Sequence, residues 1–354
     1  MPTITTTDGV NIFYKDWGSG QPIVFSHGWP LTADDWDAQM TFFLRHGYRV
    51  IAHDRRGHGR SDQPGTGNDM KHWVADLAAL TERLNLRDAI HIGHSTGCGE
   101  VARYVARHPE RVAKAVLVAS LTPNMYRSED NPSGQPPEWF EAIRAGMLGN
   151  RSEFYRFVPE NPFYGYNLDG AKPSEAVIAN WWRQGMAGGA LAHCATVDSW
   201  LEDYTEDLKK ITVPVLVMHG EADQVVPFAS SVPRAVDLLK NGSLKTYPGY
   251  PHGMLVDGEI ARVEGGRAVE HAGVVFPIGV QNRRHHGIEV SLDLGPVLRQ
   301  SRPEIEQYSW QQRRILIAQL QGGDEAARSL DGLGRGVFRA RGARRKYDQY
   351  GDQG

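Results

Sequence analysis

One run constrains this chain more than any other: Ile90-His91-Ile92-Gly93-His94-Ser95-Thr96-Gly97-Cys98-Gly99. A short apolar, strand-like stretch enters the spacing G-x-S-x-G, and helical periodicity follows in Glu100-Val101-Ala102-Arg103-Tyr104-Val105. Strand, tight turn and helix in that order are what a nucleophile elbow requires, with the serine hydroxyl projecting from the end of a sheet. Glycine is needed at positions 93 and 97 because a Cβ there would collide as the helix doubles back over the strand. Such a turn needs a sheet for its strand to join and a face for its helix to cover.

The rest of the chain supplies both. Strand-like runs at 11–16, 22–26, 49–53, 89–93, 113–118, 213–219 and 243–247 alternate with helical patterns over 33–46, 71–85, 97–108 and 232–241. That alternation predicts an α/β fold with a mostly parallel central sheet and helices on both faces. Asn68 and Asp69 are polar, as the start of a helix should be. Residues 123–205 break the alternation with Pro-rich turns and a dense set of aromatics that includes Trp139, Phe140, Phe163, Trp181 and Trp200. The expectation is a helical cap over 123–205 that walls an apolar pocket, with part of the aromatic set forming the cap's own core. The catalytic core then comprises residues 1–122 and 206–257.

Composition removes several classes of function. The formal net charge is −3, and no basic block occurs before about residue 250, so nucleic acid is not an expected partner. Met1-Pro2-Thr3-Ile4-Thr5-Thr6-Thr7-Asp8 lacks an apolar signal-peptide core, and no apolar run reaches the ~18 residues of a membrane span. A cytoplasmic protein without a membrane partner is expected, and assembly into a homo-oligomer is compatible with this. Cys98 and Cys194 make no disulfide framework, and no His, Cys and carboxylate cluster has metal-ligand spacing. The glycines of Arg55-Arg56-Gly57-His58-Gly59-Arg60 lack the lysine of a phosphate loop.

Three further segments offer partners for Ser95. Ile23-Val24-Phe25-Ser26-His27-Gly28-Trp29-Pro30 reads as a buried strand ending in a His-Gly turn. Val215-Leu216-Val217-Met218-His219-Gly220 is a second buried strand, with Glu221 and Asp223 just past its end. Tyr247-Pro248-Gly249-Tyr250-Pro251-His252-Gly253 is a rigid loop delivering a histidine. Serine, then acid, then histidine is the chain order of G-x-S-x-G hydrolases. An alcohol needs a base to become a nucleophile at neutral pH, and an imidazole can serve as that base and then protonate the leaving group. Before the atypical tail, in which His285-His286 lies, only His252 follows the last strand in this order. His27 is expected to shape its turn, His94 to pack beside the strand, and His53 and His58 to belong to the loop after another strand.

With these segments in place, residues 3–253 resemble the α/β-hydrolase superfamily, and within it the cofactor-free chloroperoxidases and aryl esterases. The likeness is carried by Lys15-Asp16-Trp17-Gly18-Ser19-Gly20, Phe25-Ser26-His27-Gly28-Trp29-Pro30, His53-Asp54-Arg55-Arg56-Gly57-His58-Gly59-Arg60-Ser61-Asp62 and the elbow. It implies that Asp223-Gln224-Val225-Val226-Pro227 is the acid loop, with Asp223 rather than Glu221 completing a triad with Ser95 and His252. The oxyanion hole is expected from the backbone N–H groups of Trp29 and Thr96, the latter at a helix N-terminus. Trp29, Pro30, Phe163 and Trp200 are expected to line the substrate pocket, and no haem, metal or other cofactor is implied. The activity implied is hydrolysis of small carboxylic esters, aryl esters above all, through an acyl-serine. An alternative is perhydrolysis, which a Trp-Pro pair accompanies in this family and whose peracid product can oxidise halide. A non-catalytic, ligand-binding member of the fold is the alternative from another class. Ser95 excludes the dehalogenase and epoxide hydrolase chemistries, which need aspartate at the elbow, and the lack of a His-Gly-Gly-Gly run disfavours a large lipase.

The last hundred or so residues are a different kind of sequence. From Glu259 onward there are 14 Arg and one Lys, against 16 Arg and eight Lys in the much longer stretch before it. The short final helix that follows the histidine in similar proteins is missing. Residues 258–354 are therefore read as a frameshifted or fused, disordered extension. Ser301-Arg302-Pro303-Glu304 nevertheless resembles a helix start, with Ile305, Tyr308, Ile315, Leu316 and Leu320 able to form an apolar face. A basic interaction tail is the functional alternative.

Overall fold

Val24 and Ile51 pack into one hydrophobic layer while their chain neighbours Ile23, Phe25, Val50 and Ala52 pack into another. Successive strand residues point to opposite faces, so strands this apolar must belong to a sheet covered on both sides. The computed structural model describes residues 1–255 and the backbone of two short paired strands, Val269–His271 and Val274–Phe276. The chain divides into a unit over Met1–Ser291 and one over Leu292–Gly354, and every described residue belongs to the first. Of the extension read over 258–354 only these two short strands are described, and the helix start at Ser301 falls outside the described residues.

The main sheet contains β1 (Thr3–Thr5), β2 (Asn11–Trp17), β3 (Pro22–Ser26), β4 (Arg49–His53), β5 (Ala89–His94), β6 (Val112–Val118), β7 (Val215–Gly220) and β8 (Gly242–Tyr247). Their order is β1-β2-β4-β3-β5-β6-β7-β8. β1 and β2 pair antiparallel, as do β2 and β4; every other pairing is parallel. The chain runs from β3 out to β4 and then returns to β5 on the other side of β3. That reversal opens a crevice at the carboxyl ends of β3 and β5, where open α/β sheets place their ligands. The His-Gly turn follows β3, and Ser95 follows β5.

Four helices alternate with the strands: α1 (Asp37–Arg45), α2 (Met70–Arg83), α3 (Thr96–Arg107) and, late in the chain, α8 (Phe228–Leu238). Asp69 caps α2, its Oδ1 accepting the His72 N–H at 3.0 Å. The helix expected over 33–46 is instead a tight 3-10 turn, Ala33–Trp36, capped by Thr32 and followed by α1. α8 starts before the expected position 232 and holds Pro233 inside it. β1 was not anticipated, because three residues are too few to show a period.

Between β6 and β7 the chain builds α4 (Pro137–Val158), α5 (Glu175–Ala187), α6 (Ala190–Ser199) and α7 (Thr205–Lys210). Gln184 of α5 accepts from the Thr32 hydroxyl at 2.8 Å, tying this insertion to the loop after β3. Among the described residues no helix is long and apolar enough to cross a membrane.

Candidate active site

Ser95 sits at the sharp turn between β5 and α3 with φ +52° and ψ −117°, a conformation that side-chain-bearing residues rarely adopt. The surroundings enforce it. The Ser95 N–H donates to Val118 of β6 at 3.0 Å. A Cβ on Gly93 would lie 2.5 Å from the Gly97 carbonyl oxygen, and one on Gly97 only 2.2 Å from that of Ser26. Both glycines are thus required by close backbone approach.

Ser95, Asp223 and His252 come together as the chain order suggested. The Ser95 hydroxyl lies 2.9 Å from His252 Nε2, and His252 Nδ1–H donates to Asp223 Oδ2 at 2.7 Å. Asp223 Oδ1 accepts the backbone N–H groups of Val225 and Val226 at 2.9 and 2.8 Å. Burial alone would raise the Asp223 carboxyl, but His252 and His219 more than reverse it and hold it well below the ordinary carboxylate range. The acid is therefore ionised at neutral pH and orients the imidazole with Nε2 facing the serine. Glu221, the other acid considered, is exposed.

The loop after β3 approaches from the opposite side. A Cβ on Gly28 would stand 3.3 Å from the Ser95 Cβ, so the backbone passes very close to Ser95. Leu31 N–H closes a turn on the Gly28 carbonyl at 3.0 Å, and the Trp29–Pro30 peptide is cis. His27 shapes this turn: its Nδ1–H donates to the Gly28 carbonyl at 2.8 Å while Nε2 accepts the Arg55 N–H at 3.0 Å. Among the described residues neither Trp29 N–H nor Thr96 N–H has a protein acceptor, which suits both for an incoming oxyanion.

Aromatic side chains from the insertion close over this pair. Trp29 meets Trp200, Tyr155 and Trp181 edge-on, with ring centres 5.3, 5.5 and 6.1 Å apart. Trp200 Nε1–H donates to the Thr96 hydroxyl at 2.9 Å, so one insertion residue touches both Trp29 and Thr96. Phe163 stands edge-on to His252 at 5.2 Å. Pro30 turns toward α5, with its Cγ 3.1 Å from where a Gly185 Cβ would be. Cys98 is buried, its thiol donating to the Gly93 and Val118 carbonyls, and burial pushes it up to about 12. Cys194 is half-buried. Among the described residues no group of three or more His, Cys, Asp or Glu is placed to hold a metal.

Three features escaped the sequence reading. His219, buried near the end of β7, lies 3.2 Å from Asp223 Oδ2, and the i, i+4 spacing of the two residues was the available clue. Glu100 of α3 is fully buried, accepting from His53 Nε2 at 3.0 Å and from Arg55 Nη2 at 2.8 Å. His94 does not merely pack beside the strand. Its Nε2–H reaches the His252 backbone carbonyl at 3.2 Å.

A mostly parallel sheet bearing a strained serine after β5, an acid after β7 and a histidine after β8 defines a class, and the chain belongs to the α/β-hydrolase fold family, whose model matches residues 21–259. Its place in that family is among the non-heme chloroperoxidases. It is 62% identical over 259 residues to a non-heme chloroperoxidase of Streptomyces lividans, covering 72% of this chain and 94% of the relative. It is 57% identical over 258 residues to the bifunctional esterase/perhydrolase DCH of Acinetobacter calcoaceticus, again covering 72% and 94%. Among solved structures, bromoperoxidase from Bacillus anthracis aligns with TM-score 0.67 at 31% identity, over 71% of this chain and 93% of that one.

Proposed function

We propose that this chain is a serine hydrolase of small carboxylic esters, aryl esters foremost, with Ser95, His252 and Asp223 as its triad. The observation that carries the reading is the continuous relay from the Ser95 hydroxyl through His252 to Asp223, at 2.9 and 2.7 Å. In the first half-reaction His252 Nε2 takes the Ser95 proton as Oγ bonds to the ester carbon. The carbonyl oxygen becomes an oxyanion held by the Trp29 and Thr96 N–H groups, and the N-terminus of α3 adds its dipole. As the C–O bond breaks, His252 returns the proton to the leaving alcohol, and an acyl-serine remains. Water then attacks the acyl carbon with His252 Nε2 taking its proton; the acyl–Oγ bond breaks, His252 returns the proton to Ser95, and the carboxylic acid leaves. Asp223 stays ionised throughout and stabilises the imidazolium.

The second reading, perhydrolysis, is favoured by the Trp29-Pro30 pair and by the relative named an esterase/perhydrolase. Hydrogen peroxide replaces water in the second half-reaction and the product is a peracid. Phe163 and Trp200 are assigned to the pocket wall on their contacts with His252 and with both oxyanion residues. Residues 1–122 and 206–257 are taken as the catalytic core, 123–205 as its cap, and 258–354 as lying outside both; the family match ending at residue 259 supports the last of these boundaries. The charge and hydropathy readings favour a cytoplasmic enzyme acting on small molecules.

The test is p-nitrophenyl acetate hydrolysis by the full chain beside Ser95→Ala, with and without hydrogen peroxide. A loss of roughly 10⁴-fold or more in the variant supports the triad, and peracetate formed in the peroxide arm supports the second reading. Equal rates in a folded variant refute both.

A further inference from the structure

His94 occupies the variable position of the elbow, where the turn itself asks for no polar side chain. It is buried, and its Nε2–H donates to the backbone carbonyl of His252 at 3.2 Å. The two imidazole centres are 5.1 Å apart, and Phe163 stands edge-on to both, at 6.0 Å from His94 and 5.2 Å from His252. The Phe163 carbonyl in turn accepts the Gly253 N–H at 2.6 Å. On its other side, His94 Nδ1 is buried with no hydrogen-bond partner among the described residues, and it lies 2.9 Å from where a Gly28 Cβ would be. One ring thus fills the space between the oxyanion loop and the loop carrying His252. Because Nε2 carries the proton, Nδ1 is bare, and burial holds the ring down to about 3. It therefore stays neutral at working pH and adds no opposing charge when His252 becomes an imidazolium.

From this geometry we infer that His94 is a positioning residue for the proton transfer, tying the His252 loop to the elbow and to Gly28 through one hydrogen bond and one packed ring. The inference rests on the triad proposed above. A base displaced by a fraction of an ångström loses rate in the chemical step and leaves substrate binding as it was.

The experiment compares the full chain with His94→Phe, which keeps a ring and loses the donor, and His94→Gln, whose amide N–H can reach the same carbonyl. Reactive serines are first counted with a fluorophosphonate probe, and kcat and KM for p-nitrophenyl acetate are then expressed per labelled site. A purely structural role would lower the number of labelled sites and leave kcat per site unchanged. The expected result is a kcat per site about tenfold lower in His94→Phe with KM unchanged, and most of it restored in His94→Gln. Wild-type kcat per site in His94→Phe, or a glutamine variant no better than phenylalanine, overturns the inference. Should His94→Phe not fold, His94→Met is read in its place. A folded wild type that takes no probe at Ser95 overturns the triad first, so the two failures are distinguishable.

Discussion

Glu100→Gln perturbs the buried ion pair beneath the elbow. Both Glu100 and Arg55 are 0% exposed at their side chains, and Arg55 Nη2 also donates to the His27 carbonyl at 2.8 Å. Helix α3 is thereby linked through Arg55 and His27 to the Gly28 carbonyl and the oxyanion loop. Glutamine keeps the shape and some hydrogen bonding but leaves the guanidinium buried without its counter-charge. Breaking a buried pair in this way costs about 3–5 kcal/mol, and the retained hydrogen bonding places this variant near ~3 kcal/mol. The electrostatics around Glu100 point the same way. Burial would raise its carboxyl, yet Arg55 and His53 bring it down from 4.5 to about 2, which corresponds to ~3 kcal/mol. Because the folded-state value is depressed, that stability is present above pH 4.5 and disappears as the pH falls toward 2. For a domain of this size the expected fall in melting temperature is roughly 6–12 °C. Thermal unfolding followed by circular dichroism would be measured for the wild type, Glu100→Gln, Arg55→Met and the double variant. The double variant should lose clearly less than the sum of the singles, since it leaves no orphaned charge. A single variant melting within about 1 °C of wild type, or strict additivity in the cycle, would show that the pair does not act as described.

Other outcomes follow from the same geometry. Asp223→Asn should reduce kcat by on the order of 10⁴ while the protein stays folded, because the amide cannot hold the imidazole in its working tautomer; steady-state kinetics with a parallel melting curve checks this. Thr96→Val removes the acceptor of the Trp200 indole and keeps its volume. The kcat/KM ratio for p-nitrophenyl butyrate over acetate should then rise at least about threefold, and an unchanged ratio would mean that Trp200 does not set the acyl pocket. The Cys98 thiol, pushed up to about 12 and buried, should resist thiol reagents in the native protein and react only on unfolding; rapid native labelling of Cys98, located by peptide mapping, would contradict its burial.

The elbow was legible in the sequence because everything it needs lies within one short run: a strand, two glycines and a helix start. The triad partners were legible because Asp223 follows the buried strand β7 and His252 lies in the loop after β8, so chain order did much of the work of geometry, with the family resemblance deciding for Asp223 over Glu221. Glu100 was not, since its partners Arg55 and His53 are brought to it by the β4–β5 arrangement and no local spacing announces them. The hydrogen bond made by His94 was not legible for a related reason. The direction of its ring depends on how the His252 loop closes over β5. In the insertion, composition announced an aromatic wall, but only the fold of α4 to α6 decides that Trp200 reaches Thr96 while Trp182 turns to the Ser152 carbonyl. β1 and the early start of α8 were missed because three alternating residues carry too little periodicity and Pro233 argues locally against a helix that packing supports.

Ser95 as the carrier of the acyl group is tested most directly by quenching the full chain during turnover of p-nitrophenyl acetate and mapping the adduct by mass spectrometry. The predicted result is one acetyl group on the peptide containing Ser95, absent from Ser95→Ala and accumulating in proportion to the burst of nitrophenol. Turnover with no acetyl on that peptide, or an acetyl group found on another residue at the same rate in Ser95→Ala, would contradict it.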